Sequence, residues 1–137
     1  MQSETSIHFE FVIPRRPLSV QAKTKNLQRW KQYVNAEATK TWAKSTVVSE
    51  QVQLTLVYLY ERNPVDTDNI IKPIQDALIG LVYDDDSRVS DVESHRRPLN
   101  GTFDLTRQPD LLVGAISLGK ECVFVRVSVP RMLEDYL

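Results

Sequence analysis

The chain lacks three features that would assign it to a specialised class of protein. Cys122 is its only cysteine, so no internal disulfide bond can form. The longest predominantly apolar run, residues 54–60, is far shorter than the about 20 residues that a membrane-spanning helix needs. Residues 1–5 are polar and do not resemble a secretory signal. The sequence therefore predicts a soluble cytoplasmic protein without a membrane partner, in which Cys122 is a buried strand residue.

Neither sign of charge is in clear excess over the whole chain, but each of its two parts has an excess of one sign. The net charge is −1. Residues 1–45 contain eight Lys or Arg and three Glu, whereas residues 46–137 contain nine basic and fifteen acidic residues. A basic part beside an acidic part suits a polyanion-binding surface next to a cation-binding site. A solvated helix face is the simpler interpretation of the basic part taken alone, and both interpretations stay open.

Length and hydrophobic patterning predict a single α/β domain over residues 1–137. Alternating apolar residues predict strands at 7–13, 52–60, 89–96 and 121–129. Helical spacing predicts two main helices at 27–42 and about 69–81, preceded by a loop at 18–27. Pro73 favours a start of the second helix nearer Lys72 than Asp68, because proline fits only a first turn. The expected architecture is a mixed sheet of about four strands, with residues 99–120 as a poorly readable insertion that includes a short helix after Pro109.

Carboxylates are concentrated after the second strand. Asp66 and Asp68 lie at a strand-to-helix junction, where open α/β sheets tend to bind ligands. Two carboxylates at i and i+2 on an extended segment share a face and repel each other unless a cation binds. Mg²⁺ suits one to three carboxylates, with water and phosphate oxygens completing its shell. Asp86 would then be the third ligand, and Lys72 a cation for the scissile phosphate.

Simpler roles exist for the same residues. Asp68 could cap the helix, the acidic turn could be merely exposed, and Lys72 could bridge Asp68 and Asp76. The predicted helix is about 20 Å long, which places Asp86 at the far end from Asp66. Either the chain after the helix runs back along it, or a second subunit completes the site.

The motif resembles a known family. Residues 66–80 fit D-x-D-N-x-x-K-x-x-x-D-A-L-x-G and residues 85–91 fit D-D-x-x-V-x-D. This combination resembles the RusA family of Holliday-junction resolvases. The resemblance implies that Asp66, Asp68 and Asp86 bind Mg²⁺, for which Mn²⁺ could substitute, and that Lys72 is also needed for catalysis. Because the turn contains a third aspartate, Asp85 could replace Asp86.

The resemblance also implies a substrate and an assembly. Members of the family are homodimers that nick opposing strands of four-way DNA junctions by hydrolysis. Phosphate contacts are expected from the basic N-terminal part, with Arg15, Arg16, Lys23 and Lys25 as candidates. Two alternatives stay open, namely a nuclease for flaps or other branched DNA and a non-catalytic DNA-binding protein. Residues 114–120 fit G-x-x-x-x-G-K, but Glu121 replaces the Ser or Thr that a nucleotide-binding P-loop requires.

Overall fold

The computed structural model describes residues 6–44 and 46–137, so residues 1–5, on which the expectation of no secretory signal was based, lie outside it. Strands and helices alternate along the chain. They are β1 (Ile7–Ile13), α1 (Thr24–Thr39), β2 (Val52–Tyr60), α2 (Ile71–Ala77), β3 (Val89–Pro98), α3 (Asp110–Leu118) and β4 (Cys122–Ser128). Short 3-10 turns lie at Asp86–Arg88, Leu105–Arg107 and Leu133–Asp135. The predicted α/β class and the short helix after Pro109 are confirmed.

The four strands form one mixed sheet in the order β1-β4-β2-β3. β4 is antiparallel to both β1 and β2, whereas β3 is parallel to β2. β2 is apolar on both faces, which predicted an interior strand, and it lies between β4 and β3. The sheet therefore has β1 and β3 at its edges, and β3 is the edge next to the loop that follows β2.

Two apolar clusters cover the two faces of the sheet. On one face α1 and α2 pack on alternate strand residues, with Trp30, Val34 and Ile74 among the buried side chains. On the other face α3 packs on a smaller cluster that contains Cys122, whose side chain is 3% exposed. Each fully buried large aliphatic side chain contributes roughly 1.5–3 kcal/mol, so both helical layers stabilise the sheet. Burial raises the pKa of the Cys122 thiol to about 11.

The first helix begins and ends earlier than predicted. It starts at Thr24, so Lys25 lies in a helical turn and not in a loop as expected. It ends at Thr39, before Trp42, which instead packs edge-on against Phe9 with ring centroids 5.0 Å apart. Trp42 fits the helical spacing of the sequence although it lies beyond the helix. A residue in a helix or in a loop can place its ring in the same core, so spacing alone does not show where the helix ends.

The second helix is shorter than predicted, because it ends at Ala77 and not near Leu81. Gly80 has a φ of 83°, a left-handed conformation that ends a helix. Its N–H donates to the carbonyl of Tyr83, and the Tyr83 hydroxyl donates to the carbonyl of Gln75 at 2.6 Å. The chain thus turns back directly after α2. Pro73 lies in the first turn of α2, as its ring requires.

Across the described ranges, none of the helices combines the length and apolar character needed to cross a membrane.

Candidate active site

The loop after β2 carries Asp66 and Asp68 and is fixed to two neighbouring segments. The Ser94 hydroxyl of β3 donates to the carbonyl of residue 67 at 2.8 Å. The N–H of Val20 donates to the carbonyl of Asn69 at 2.8 Å, which joins the segment before α1 to the motif. Both aspartate side chains point to solvent, and that of Asp66 is 72% exposed. The loop is therefore anchored through its main chain while its carboxylates stay accessible.

Lys72 lies in the first turn of α2 between two carboxylates. Its ammonium donates to Oδ2 of Asp86 at 2.8 Å and lies 3.0 Å from Oδ1 of Asp76. The hydrogen bond to Asp86, followed by that to Asp76, raises the pKa of Lys72 above its ordinary value. Both contacts therefore favour the protonated, cationic form of Lys72.

Asp86 reaches Lys72 because the chain runs back along α2. Seven helical residues span only about 10 Å, and the turn that follows brings the 3-10 helix Asp86–Arg88 beside the start of α2. Gln75 supports this arrangement, since its side-chain amide lies 3.5 Å from the main-chain carbonyl of Asp86. The chain does return along α2 and brings Asp86 to Lys72 within one subunit, but it forms no group of three carboxylates among the described residues, so completion of the site by a second subunit stays open.

The three aspartates of the acidic turn have different partners. Asp84 accepts from the guanidinium of Arg88 at 2.7 Å, and this hydrogen bond lowers the pKa of Asp84. Asp85 accepts from the hydroxyl and N–H of Ser87, which lowers the pKa of Asp85. It thereby caps the 3-10 helix. Asp86 is the aspartate of the turn that contacts a residue of the preceding motif, so the geometry favours Asp86 over Asp85 as the functional residue.

The four basic candidates from the N-terminal part occupy two kinds of environment. Arg15 lies 4.0 Å over the ring of Tyr33. Arg16 is held by intramolecular hydrogen bonds, since it donates to Glu121 at 3.1 Å and to two main-chain carbonyls of the turn after β2. Lys23 and Lys25 lie exposed at the start of α1. The bond between residues 20 and 69 places the beginning of this basic segment next to the motif loop.

Two contacts at the site were not expected from the sequence. Lys31 of α1 lies 3.5 Å from Oδ2 of Asp76, so Asp76 is shared by two lysines. Arg96 of β3 lies 3.7 Å from Oδ1 of Asp66. The spacing of Lys72 and Asp76 signals their helical pairing, but nothing local in the sequence signals a contact between α1 and α2 or between β3 and the motif loop.

The aspartates have the donor chemistry that Mg²⁺ requires. Counting residues 6–44 and 46–137, no group of three or more His, Cys, Asp or Glu side chains is arranged to hold a metal ion. Mg²⁺ commonly binds through one or two carboxylates and keeps several waters or phosphate oxygens. The exposed carboxylates of Asp66 and Asp68 fit that mode of binding, whereas the described residues do not group Asp86 with them as a third ligand.

Comparison with known families assigns this region a relative. A family model described as endodeoxyribonuclease RusA matches residues 14–102. The matched stretch is well over half of the chain and contains β2, the motif loop, α2, the acidic turn and β3. α3 and β4 lie beyond it. A comparison with curated proteins finds no significant match.

Proposed function

This chain belongs to the RusA family of endodeoxyribonucleases, and on that premise we propose that it is a Mg²⁺-dependent resolvase of four-way DNA junctions. The observation that carries the proposal is the contact of Lys72 with Asp86 beside the loop of Asp66 and Asp68. An exposed cation next to open carboxylates suits a reaction at a phosphodiester, because both signs of charge are needed at the reacting phosphate. An ion pair that only stabilised the core would not need to be exposed to solvent, and it would not need further aspartates beside it.

We assign the ion to Asp66, Asp68 and Asp86, with Mn²⁺ as a substitute; because Asp86 is not grouped with the other two in the structure, it would have to approach them when the ion binds. When bound, Mg²⁺ supplies a Lewis acid that polarises the scissile phosphate and stabilises the leaving 3′ oxygen. Lys72 remains protonated and would bind a non-bridging phosphate oxygen, where negative charge increases during attack by water. Asp76 holds the Lys72 ammonium on the surface of α2 and so keeps it directed at one place.

Two further features of the proposal concern the DNA and the assembly. The exposed residues Arg15, Lys23 and Lys25 would contact phosphates on either side of the cleaved bond, where the start of α1 adjoins the motif loop. A homodimer would present two such sites to one junction, which paired nicking of opposing strands requires. The enzyme would act on DNA in the cytoplasm.

The test is cleavage of a labelled synthetic four-way junction, compared with a matched duplex and a flap. Wild type, Asp68→Asn and the surface control Asp110→Asn would each be assayed with Mg²⁺ and with EDTA. Symmetric paired nicks in wild type and control, lost with EDTA and in Asp68→Asn, would support the proposal. Cleavage of the flap alone would establish a different branched substrate. Junction binding without cleavage in Mg²⁺ or Mn²⁺ would refute the enzymatic activity.

A further inference from the structure

Three consecutive main-chain carbonyls of the motif loop, residues 65–67, each accept a hydrogen bond. The Arg96 guanidinium donates to the first at 3.3 Å, and the Ser94 hydroxyl donates to the third at 2.8 Å. The N–H of Asn69 donates to the middle one at 3.1 Å. The main chain around Asp66 is therefore bonded at every peptide, two of the bonds coming from a strand far away in sequence.

The two bonds from β3 form a matched pair. Ser94 and Arg96 are two residues apart on one strand, so their side chains lie on the same face. Their acceptors are also two residues apart, in the opposite order, so the loop runs antiparallel to β3. The two side chains of β3 thus hold the peptide that precedes Asp66 and the peptide that precedes Asp68.

This anchoring leaves the acidic side chains open, because the carboxylate of Asp66 is 72% exposed and Asp68 is also exposed. We propose that Ser94 and Arg96 are positioning residues, which hold the loop so that Asp66 and Asp68 present their carboxylates to a divalent cation before it binds. The inference rests on the proposed function, since it concerns the same metal site. Groups that orient metal ligands typically change metal affinity by 10- to 100-fold when removed.

Arg96 also has an electrostatic effect that opposes its positioning role. Its guanidinium lies 3.7 Å from Oδ1 of Asp66, so its positive charge repels a cation bound there. If repulsion were the larger effect, removal of Arg96 would tighten metal binding. Ser94 carries no charge, so its removal changes positioning alone. The two residues therefore separate the two effects.

The experiment measures Mn²⁺ affinity from the electron paramagnetic resonance signal of free Mn²⁺, and the Mg²⁺ dependence of junction cleavage. The variants are Ser94→Ala and Arg96→Gln, with Ser94→Thr as the variant that keeps the hydroxyl. Matched controls are Ser90→Ala, whose hydroxyl on the same strand bonds to the neighbouring Asp91 and to β2 and not to the motif loop, and Arg107→Gln, an exposed arginine of the 3-10 turn before α3. Thermal unfolding verifies that each variant is folded.

We expect Ser94→Ala and Arg96→Gln to weaken Mn²⁺ binding about tenfold. The Mg²⁺ concentration for half-maximal cleavage should rise in parallel, with the rate at saturating metal largely retained. Ser94→Thr, which keeps the hydroxyl, should retain wild-type Mn²⁺ affinity, and the controls should match wild type. Unchanged affinity in both variants, or tighter binding by Arg96→Gln together with unchanged binding by Ser94→Ala, would overturn the inference.

Failure of the inference is distinguishable from failure of the proposed function. If wild type binds Mn²⁺, Asp68→Asn does not, and both positioning variants bind normally, the metal site stands and the inference alone is wrong. If wild type binds no Mn²⁺, the proposed metal site is refuted and the inference with it.

Discussion

Lys72 and Asp86, fourteen residues apart in sequence, meet through a 2.8 Å hydrogen bond from ammonium to carboxylate. The contact exists because α2 is only seven residues long and the chain returns along it. It joins the two halves of the sequence motif and holds an exposed cation between the carboxylates of Asp76 and Asp86.

Lys72→Met should abolish most of the cleavage activity without unfolding the protein. Removal of a group that stabilises charge in the transition state typically lowers the rate about 100- to 1,000-fold. The side chain is 50% exposed, so its loss should change stability little. Single-turnover junction cleavage measures the effect, with Lys40→Met, at an exposed lysine just after the end of α1, as control. Wild-type rates in Lys72→Met would exclude Lys72 from the reaction.

The two neighbouring aspartates of the acidic turn should respond differently to the same change. Asp86→Asn removes the partner of Lys72 and a proposed metal ligand, so cleavage should fall about 100-fold or more. Asp85→Asn keeps an acceptor that can cap the 3-10 helix, because asparagine is also a good cap. Its activity should stay near wild type. The reverse order, with Asp85→Asn the more damaging change, would assign the metal to Asp85.

Substitution of Arg16 should affect mainly stability, whereas substitution of Lys23 and Lys25 should affect mainly DNA binding. Arg16→Ala removes a bond to Glu121, whose side chain is only 14% exposed, and should lower the free energy of unfolding by about 1 kcal/mol. Replacement of both lysines by alanine should leave stability unchanged. It should weaken junction binding and reduce the slope of log affinity against log salt by roughly 2.

Chemical denaturation and binding titrations at several salt concentrations test this contrast. The prediction would be wrong if Arg16→Ala altered only the salt slope, or if the lysine variant altered only the unfolding midpoint.

Alkaline pH should destabilise the protein through Cys122. Its pKa rises from the ordinary 9.0 to about 11 in the fold, so the unfolded thiol ionises first. Stability therefore falls as pH increases from about 9 to about 11, by roughly 2–3 kcal/mol at the end of that window. Burial also raises the pKa of Tyr58 and Tyr83, and these tyrosines contribute equally in a Cys122→Ala variant.

The difference in pH dependence between wild type and Cys122→Ala isolates the thiol. Denaturant unfolding at steps of pH should show a smaller decline in the variant, whose lower overall stability does not affect the comparison. Equal declines in stability for wild type and variant would show that the thiol has the same pKa in the folded and unfolded protein. Rapid labelling of the native thiol at pH 8 would contradict its burial directly.

Local patterns in the sequence predicted the elements, whereas long-range packing decided their limits and neighbours. Alternation identified all four strands, and Pro73 correctly favoured a late start for α2. The predicted end of α2 was wrong, because Leu78 and Leu81 keep helical spacing in the sequence while Gly80 turns the chain. Asp66, Asp68, Lys72 and Asp86 could be proposed as site residues because they lie in two short motifs within residues 66–91, and their roles stay a prediction. Arg96 and Ser94 could not, since strand pairing alone brings them to the loop.

The place of β4 in the sheet has a consequence for biosynthesis. Of the four strands of this sheet β4 is synthesised last, yet it lies between β1 and β2 and is the strand to which β1 pairs. During translation β1 must wait for residues 122–128, and only the parallel pair of β2 and β3 can form earlier. A two-stranded ribbon is marginally stable in water, and the delay exposes apolar strands while the ribosome completes the chain. Nascent chains interrupted before residue 122 would therefore carry the whole acidic motif and still be unable to cut DNA.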